Sequence, residues 1–227
     1  DFCLSRGLGD VYKRQGLLNA VHLDHVIALE PGADLHALAD GRELAVTSWC
    51  SGIEESVSGR IVTVELLIED GERAVVKQMH RFAIRGRATT STPPSTAPEF
   101  GGVEVAIEAT PRSFVDRATV TAPADMTPFA LVSGDYNPIH TSYNASGLVG
   151  LAAPLVHGMW LSATAQHLAG RHGRVSGWTY SMYGMVQLGD EVELTVERVG
   201  RAGIRPALEA VSYIHLRAHE TGRNLVC

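Results

Sequence analysis

The run GMWLSATAQHLAGRH at residues 158–172 reads as one apolar helix. Trp160, Ala163, Thr164, His167 and Leu168 share a helical face, and Ser162, Ala163 and Ala165 are small enough for close sheet contact. Gly170 and Gly173 are both stop signals. The surrounding stretch 147–170 is nearly uncharged, but Pro154, His157, Gln166 and His167 break it, so it is not a membrane span. After the helix, a turn at Gly189-Asp190 leads into a strand over 192–199. Upstream, 43–53 and 60–85 read as strands, with RIVTVELLIE at 60–69 β-branched and mostly alternating and Asp70-Gly71 marking a hairpin. Residues 17–30 end in another extended segment, closed by Pro31-Gly32. One long, small-residue helix among strands predicts an α+β chain in which a curved antiparallel sheet wraps a central helix.

Composition narrows the classes. The chain has 227 residues, 45% hydrophobic and 19% charged, with net charge -6. It is too apolar and too weakly charged to be disordered, and a pI near 5.9 argues against nucleic-acid coating. Residues 88–98 (ATTSTPPSTAP) form a polar, proline-rich linker. Beyond it, 103–109 and 117–121 are short strand candidates, Asp125 is an N-cap for a helix over 126–132, and 133–157 is an irregular loop. Residues 1–15 and 211–227 lack usable periodicity and resemble translated adapter-like peptides found at the ends of fragmentary reading frames. Each carries charge +1, so the remainder would carry -8, and they hold Cys3 and Cys227. Cys50 alone cannot form an internal disulfide, which fits a reducing, cytoplasmic setting.

The chemistry concentrates in Ser133-Gly134-Asp135-Tyr136-Asn137-Pro138-Ile139-His140. Pro138 suits the first helical position and makes Asn137 the N-cap. His140 then lies in a first turn, where the helix dipole favours neutral imidazole, able to accept a proton. Asp135 sits just before that helix and can approach the imidazole, while Gly134 permits a sharp turn. Read blandly, the same string is an Asx-turn with an incidental histidine. Calcium ligation fails because Ile139 and Ser146 stand where polar ligands belong, and zinc ligation lacks the His/Cys spacing. A second string, Pro154-Leu155-Val156-His157-Gly158-Met159, places a glycine amide at a helix N-terminus, a donor suited to an oxyanion. His157 reads best as a packed, hydrogen-bonded side chain. His167 and His172 read as helix-face residues.

SGDYNPIH followed seventeen residues later by HGMWLS resembles the signature of MaoC-like (R)-specific enoyl hydratases and 3-hydroxyacyl dehydratases, whose fold is the hotdog. The run from 120 to 167 is similar, more narrowly, to the dehydratase region of bacterial type I fatty acid synthases. The strands over 22–87 resemble the non-catalytic half that precedes the MaoC-like half there. The resemblance implies a double hotdog: 16–87 the non-catalytic half, 88–102 a linker and 103–210 the catalytic half. That fold would be incomplete at both ends, with the opening strand and helix missing and further sheet after Val199 interrupted by the tail.

By the same resemblance Asp135 and His140 form the catalytic dyad and Gly158 supplies the oxyanion amide. Ser133, Asn137, His157 and Met159 line the substrate site. The reaction implied is reversible dehydration of (3R)-hydroxyacyl thioesters to trans-2-enoyl thioesters, without metal or redox cofactor. The acyl group would arrive on phosphopantetheine, from an acyl carrier protein domain or coenzyme A. Other fatty acid synthase modules would be partners, in an oligomer, with no nucleic acid and no membrane. A free-standing (R)-specific enoyl-CoA hydratase and a non-catalytic acyl-binding hotdog are the alternatives.

Overall fold

The computed structural model of the chain describes residues 20–33, 37–56, 59–85, 108–173, 175, 177–182, 184–202 and 205–214. The expected leader at 1–15, the linker at 88–102 and residues 215–227 lie outside the described residues. Eight strands and four α-helices are described: β1 Ala20–Leu29, β2 Ala45–Ser56, β3 Gly59–Asp70, β4 Arg73–Arg85, β5 Glu108–Thr121, α1 Thr127–Ser133, α2 Pro138–Thr141, α3 Tyr143–Leu148, α4 Gly158–Gly170, β6 Gly177–Ser181, β7 Glu191–Ala202 and β8 Arg205–Ile214. They fall into two compact units.

The first unit is an antiparallel sheet in the order β2-β3-β4-β1-β6. The hairpin expected at Asp70-Gly71 joins β3 to β4, with Asp70 paired to Arg73 and Gly71 at φ 64, a value an L side chain resists. Ala33, Val75 and Val76 are buried together, with Ile27, Leu29, Leu38 and Ile68 against them. β6 is a correction to the expected division of the chain. Residues 177–181 fall inside 103–210, yet they pair with β1, Asp24 opposite Ser181 through Ala28 opposite Gly177.

The second unit carries the sheet β5-β7-β8, against which α4 packs. In β7 Val192, Leu194 and Val196 are at most 1% exposed, and Thr195 between the last two is buried as well at 9%. Each such apolar side chain contributes roughly 1.5–3 kcal/mol of hydrophobic stabilisation. α4 is the expected long helix, but its buried stripe is Leu161, Ser162, Ala165, Leu168 and Ala169. Of the small residues expected to allow close sheet contact, Ser162 and Ala165 lie in this stripe, whereas Ala163 is exposed, as is His167. The loop expected over 133–157 holds two short helices, α2 and α3, because Asn137 and Ser142 each cap one. β8 continues the sheet past Val199, and four residues given to the tail, 211–214, pair with β7 from Thr195 to Val192. Pro206 lies near the start of this edge strand, a position where a missing N–H is tolerated.

Candidate active site

Local sequence shapes the loop between α1 and α2. α1 ends at Gly134, whose φ of 73 is a left-handed cap and whose N–H reaches the Ala130 carbonyl at 2.9 Å. The Ser133 hydroxyl then accepts from the Asp135 N–H (3.3 Å), and Asp135 Oδ1 accepts from the Asn137 N–H (3.1 Å). The Asn137 side chain caps α2 by accepting from the Ile139 N–H (3.2 Å), with Pro138 next to it as expected. Ser133 and Asn137 therefore shape the turn that presents Asp135.

The strand-like segment before α4 is stitched to this loop. The Leu155 N–H donates to the Ile139 carbonyl (3.0 Å) and the Val156 N–H to the Val186 carbonyl (2.8 Å). His140 Nδ1–H donates back to the Leu155 carbonyl (2.9 Å). A carbonyl only accepts, so the proton is on Nδ1, and neutral His140 carries its lone pair on Nε2. That nitrogen faces Asp135 Oδ2 at 4.0 Å. The pair expected from spacing is thus brought together. Burial, and secondarily the neighbouring His157, pull the His140 pKa below its ordinary value, against the Leu155 bond and the Asp135 charge. The neutral state expected from the helix dipole has a different main cause, because a four-residue helix has little dipole to offer.

His157, at the N-cap of α4, is 2% exposed. Its Nε2–H donates to the Asp135 carbonyl (3.0 Å), and its ring stacks on His140 with centroids 3.9 Å apart. Phe129 of α1 lies against its ring, centroids 5.2 Å apart. These contacts span seventeen to twenty-eight residues of sequence, so spacing alone could not disclose them. Its Nδ1 is buried without a hydrogen-bond partner among the described residues.

Asp135, His140 and His157 offer ligand-type atoms within 4.8 Å of one another, a grouping linear spacing did not suggest. The two imidazoles are stacked, 27° from parallel, so their lone pairs run side by side rather than converge on one ion, and His157 Nε2 is engaged by the carbonyl. The arrangement suits proton transfer better than chelation.

Gly158 opens α4. Helix-opening N–H groups have no acceptor one turn back, and its N–H meets none among the described residues. A Cβ on Gly158 would overlap the Met182 sulfur, so any larger residue there requires the Met182 side chain to move. Met159 is half-buried beside it.

Residues 104–218 match a protein-family model described as MaoC like domain. The fatty acid synthase beta subunit TOXC of Cochliobolus carbonum is 32% identical over 115 residues, 47% of this chain and 5% of that protein. The chain therefore spans about a twentieth of the length of the curated relatives it matches. Among solved structures, a MaoC-like dehydratase superposes with a TM-score of 0.74 at 15% identity, over 99% of this chain and 78% of that one. A double-hotdog protein of Mycobacterium tuberculosis gives 0.53 at 12% identity, over 91% and 72%. At such identities the likeness establishes the fold, and it is the hotdog expected from the sequence. Among the described residues, no helix is long and apolar enough to cross a membrane.

Proposed function

Since the chain belongs to the MaoC-like domain family, we propose that it is a hydratase/dehydratase that interconverts (3R)-hydroxyacyl and trans-2-enoyl thioesters, as the dehydratase segment of a type I fatty acid synthase. The observation carrying this reading is the facing of His140 Nε2 and Asp135 Oδ2 at 4.0 Å, in the loop stitched to the N-terminus of α4. The dehydration balances within these groups. His140 Nε2 takes the C2 proton, and the C2–H electron pair becomes the C2=C3 double bond. The C3–O bond breaks while Asp135 holds the hydroxyl, which leaves as water with the proton returned by the imidazolium. The Gly158 N–H, at the positive end of the α4 dipole, meets the charge developing on the thioester oxygen, a contribution typically about 10²–10³ in rate.

The steps are proton transfers and need no metal or redox group. Met159 stands next to the oxyanion amide as a substrate-lining residue. The substrate class is an acyl chain on a phosphopantetheine thioester, presented by a carrier protein domain or coenzyme A, with other synthase modules as partners. The matches to fatty acid synthase beta subunits support that setting. The test is hydration of a short trans-2-enoyl thioester with the C3 configuration read in the product. His140→Ala and Asp135→Asn should each cost at least ~10² in kcat, and the double variant far less than the product of the two losses. A near wild-type rate in His140→Ala, or a 3S product, refutes the assignment.

A further inference from the structure

We infer that His157 is the positioning residue of this site: one side chain fixes the peptide that carries Asp135 and covers the ring of His140. The inference rests on the proposed dyad and extends it. Asp135 is half exposed; among the described residues its carboxylate accepts from the Asn137 N–H within its own turn and lies 3.7 Å from His157 Nε2 and 4.0 Å from His140 Nε2. The contact that ties its backbone to the rest of the site is the His157 Nε2–H bond to its carbonyl, at 3.0 Å. His157 can hold it because it is itself immobilised, 2% exposed between Phe129 and His140 at the first turn of α4. The same rigid element carries Gly158, so one residue sets the spacing between the acid-base pair and the oxyanion amide.

The second effect is on His140. The titratable groups facing that imidazole among the described residues are the Asp135 carboxylate at 4.0 Å and the stacked His157 ring. The ring excludes water from one face of His140, and two imidazoles in face-to-face contact resist being charged together. Both influences push the His140 pKa down, and both would be lost with the ring. His157 thus acts through its neighbours without touching the reacting atoms.

The test uses His157→Gln and His157→Phe in the full chain, read by histidine proton NMR titration and by the pH profile of kcat. Glutamine keeps a side-chain N–H for the Asp135 carbonyl but has no ring to stack. His140 should then titrate at least about half a pH unit higher, because burial and the neighbouring imidazole both relax. The acid limb of kcat should move with it, and KM should stay within about twofold, because the His157 side chain, expected to line the substrate site, is only 2% exposed and offers a substrate little surface. Phenylalanine keeps the cover and loses the donor, so kcat should fall about tenfold or more while His140 titrates closer to its wild-type position. An unmoved His140 titration in folded His157→Gln, or equal loss in both variants at every pH, overturns the inference. Should either substitution unfold the chain, nitrogen shifts of His157 in the wild-type chain carry the test, and a proton on Nδ1 instead of Nε2 overturns it. A wild-type rate in His140→Ala would remove the dyad, whereas an unmoved titration removes only the role of His157.

Discussion

Lowering the pH from 7 to 5 should destabilise the first unit through two histidines that the chemistry does not use. His25 of β1 is 1% exposed, and neither ring nitrogen has a hydrogen-bond partner among the described residues. It stacks on His80 of β4 with centroids 4.6 Å apart, and His80 in turn bridges His22 (3.3 Å) and Gln78 (3.0 Å). Burial, then the neighbouring His80 and His22, lower the His25 pKa to about 3, and burial lowers that of His80 to about 4. The unfolded chain titrates near 6.5, so below that pH it binds protons the folded chain refuses. Stability is therefore lost as pH falls through 6.5 and continues to fall until the folded values are reached. From pH 7 to 5 each group costs about 2 kcal/mol, and the pair about 4 kcal/mol, a large share of a typical domain's stability.

Urea unfolding followed by tryptophan fluorescence reads this directly, because Trp49 is buried in β2 of the same sheet. His25→Phe keeps an aromatic ring in the slot and removes its titration, so the variant should lose about 2 kcal/mol less than wild type over that pH range. Equal pH dependence in the two proteins would refute the reasoning.

Two further outcomes follow from packing. Gly158→Ala should force the Met182 side chain aside and displace the α4 N-terminus, costing about tenfold or more in kcat. Met182→Ala in the same chain should restore part of it, as measured in the hydration assay. Leu194→Ala, at a site 1% exposed in β7, should cost about 2–5 kcal/mol in denaturant unfolding, and a loss under ~1 kcal/mol would place that strand outside the core of its unit.

What the sequence by itself determined is local. Asn137-Pro138 specifies a cap and a first turn because one side chain and one fixed φ suffice, and Gly134 and Gly71 mark turns for the same reason. The turn and first helical turn between them keep Asp135 and His140 within reach of each other, while the facing of the two side chains needs the contacts of His157 and Leu155. The MaoC likeness was legible because its strings sit in these local elements.

Tertiary structure decided the rest. β6 pairs with β1 across some 150 residues, as Asp24 opposite Ser181 records, and nothing in GWTYS states which sheet it joins. The buried face of α4 is chosen by the sheet it meets, since small and apolar residues occur on both sides of that helix. His25 and His80 meet only through the β1–β4 register, and His157 reaches the Asp135 carbonyl only once Leu155 has been stitched to Ile139. Each of these depends on chain segments distant in sequence arriving together, a property of pairing and close packing that no short string of residues encodes.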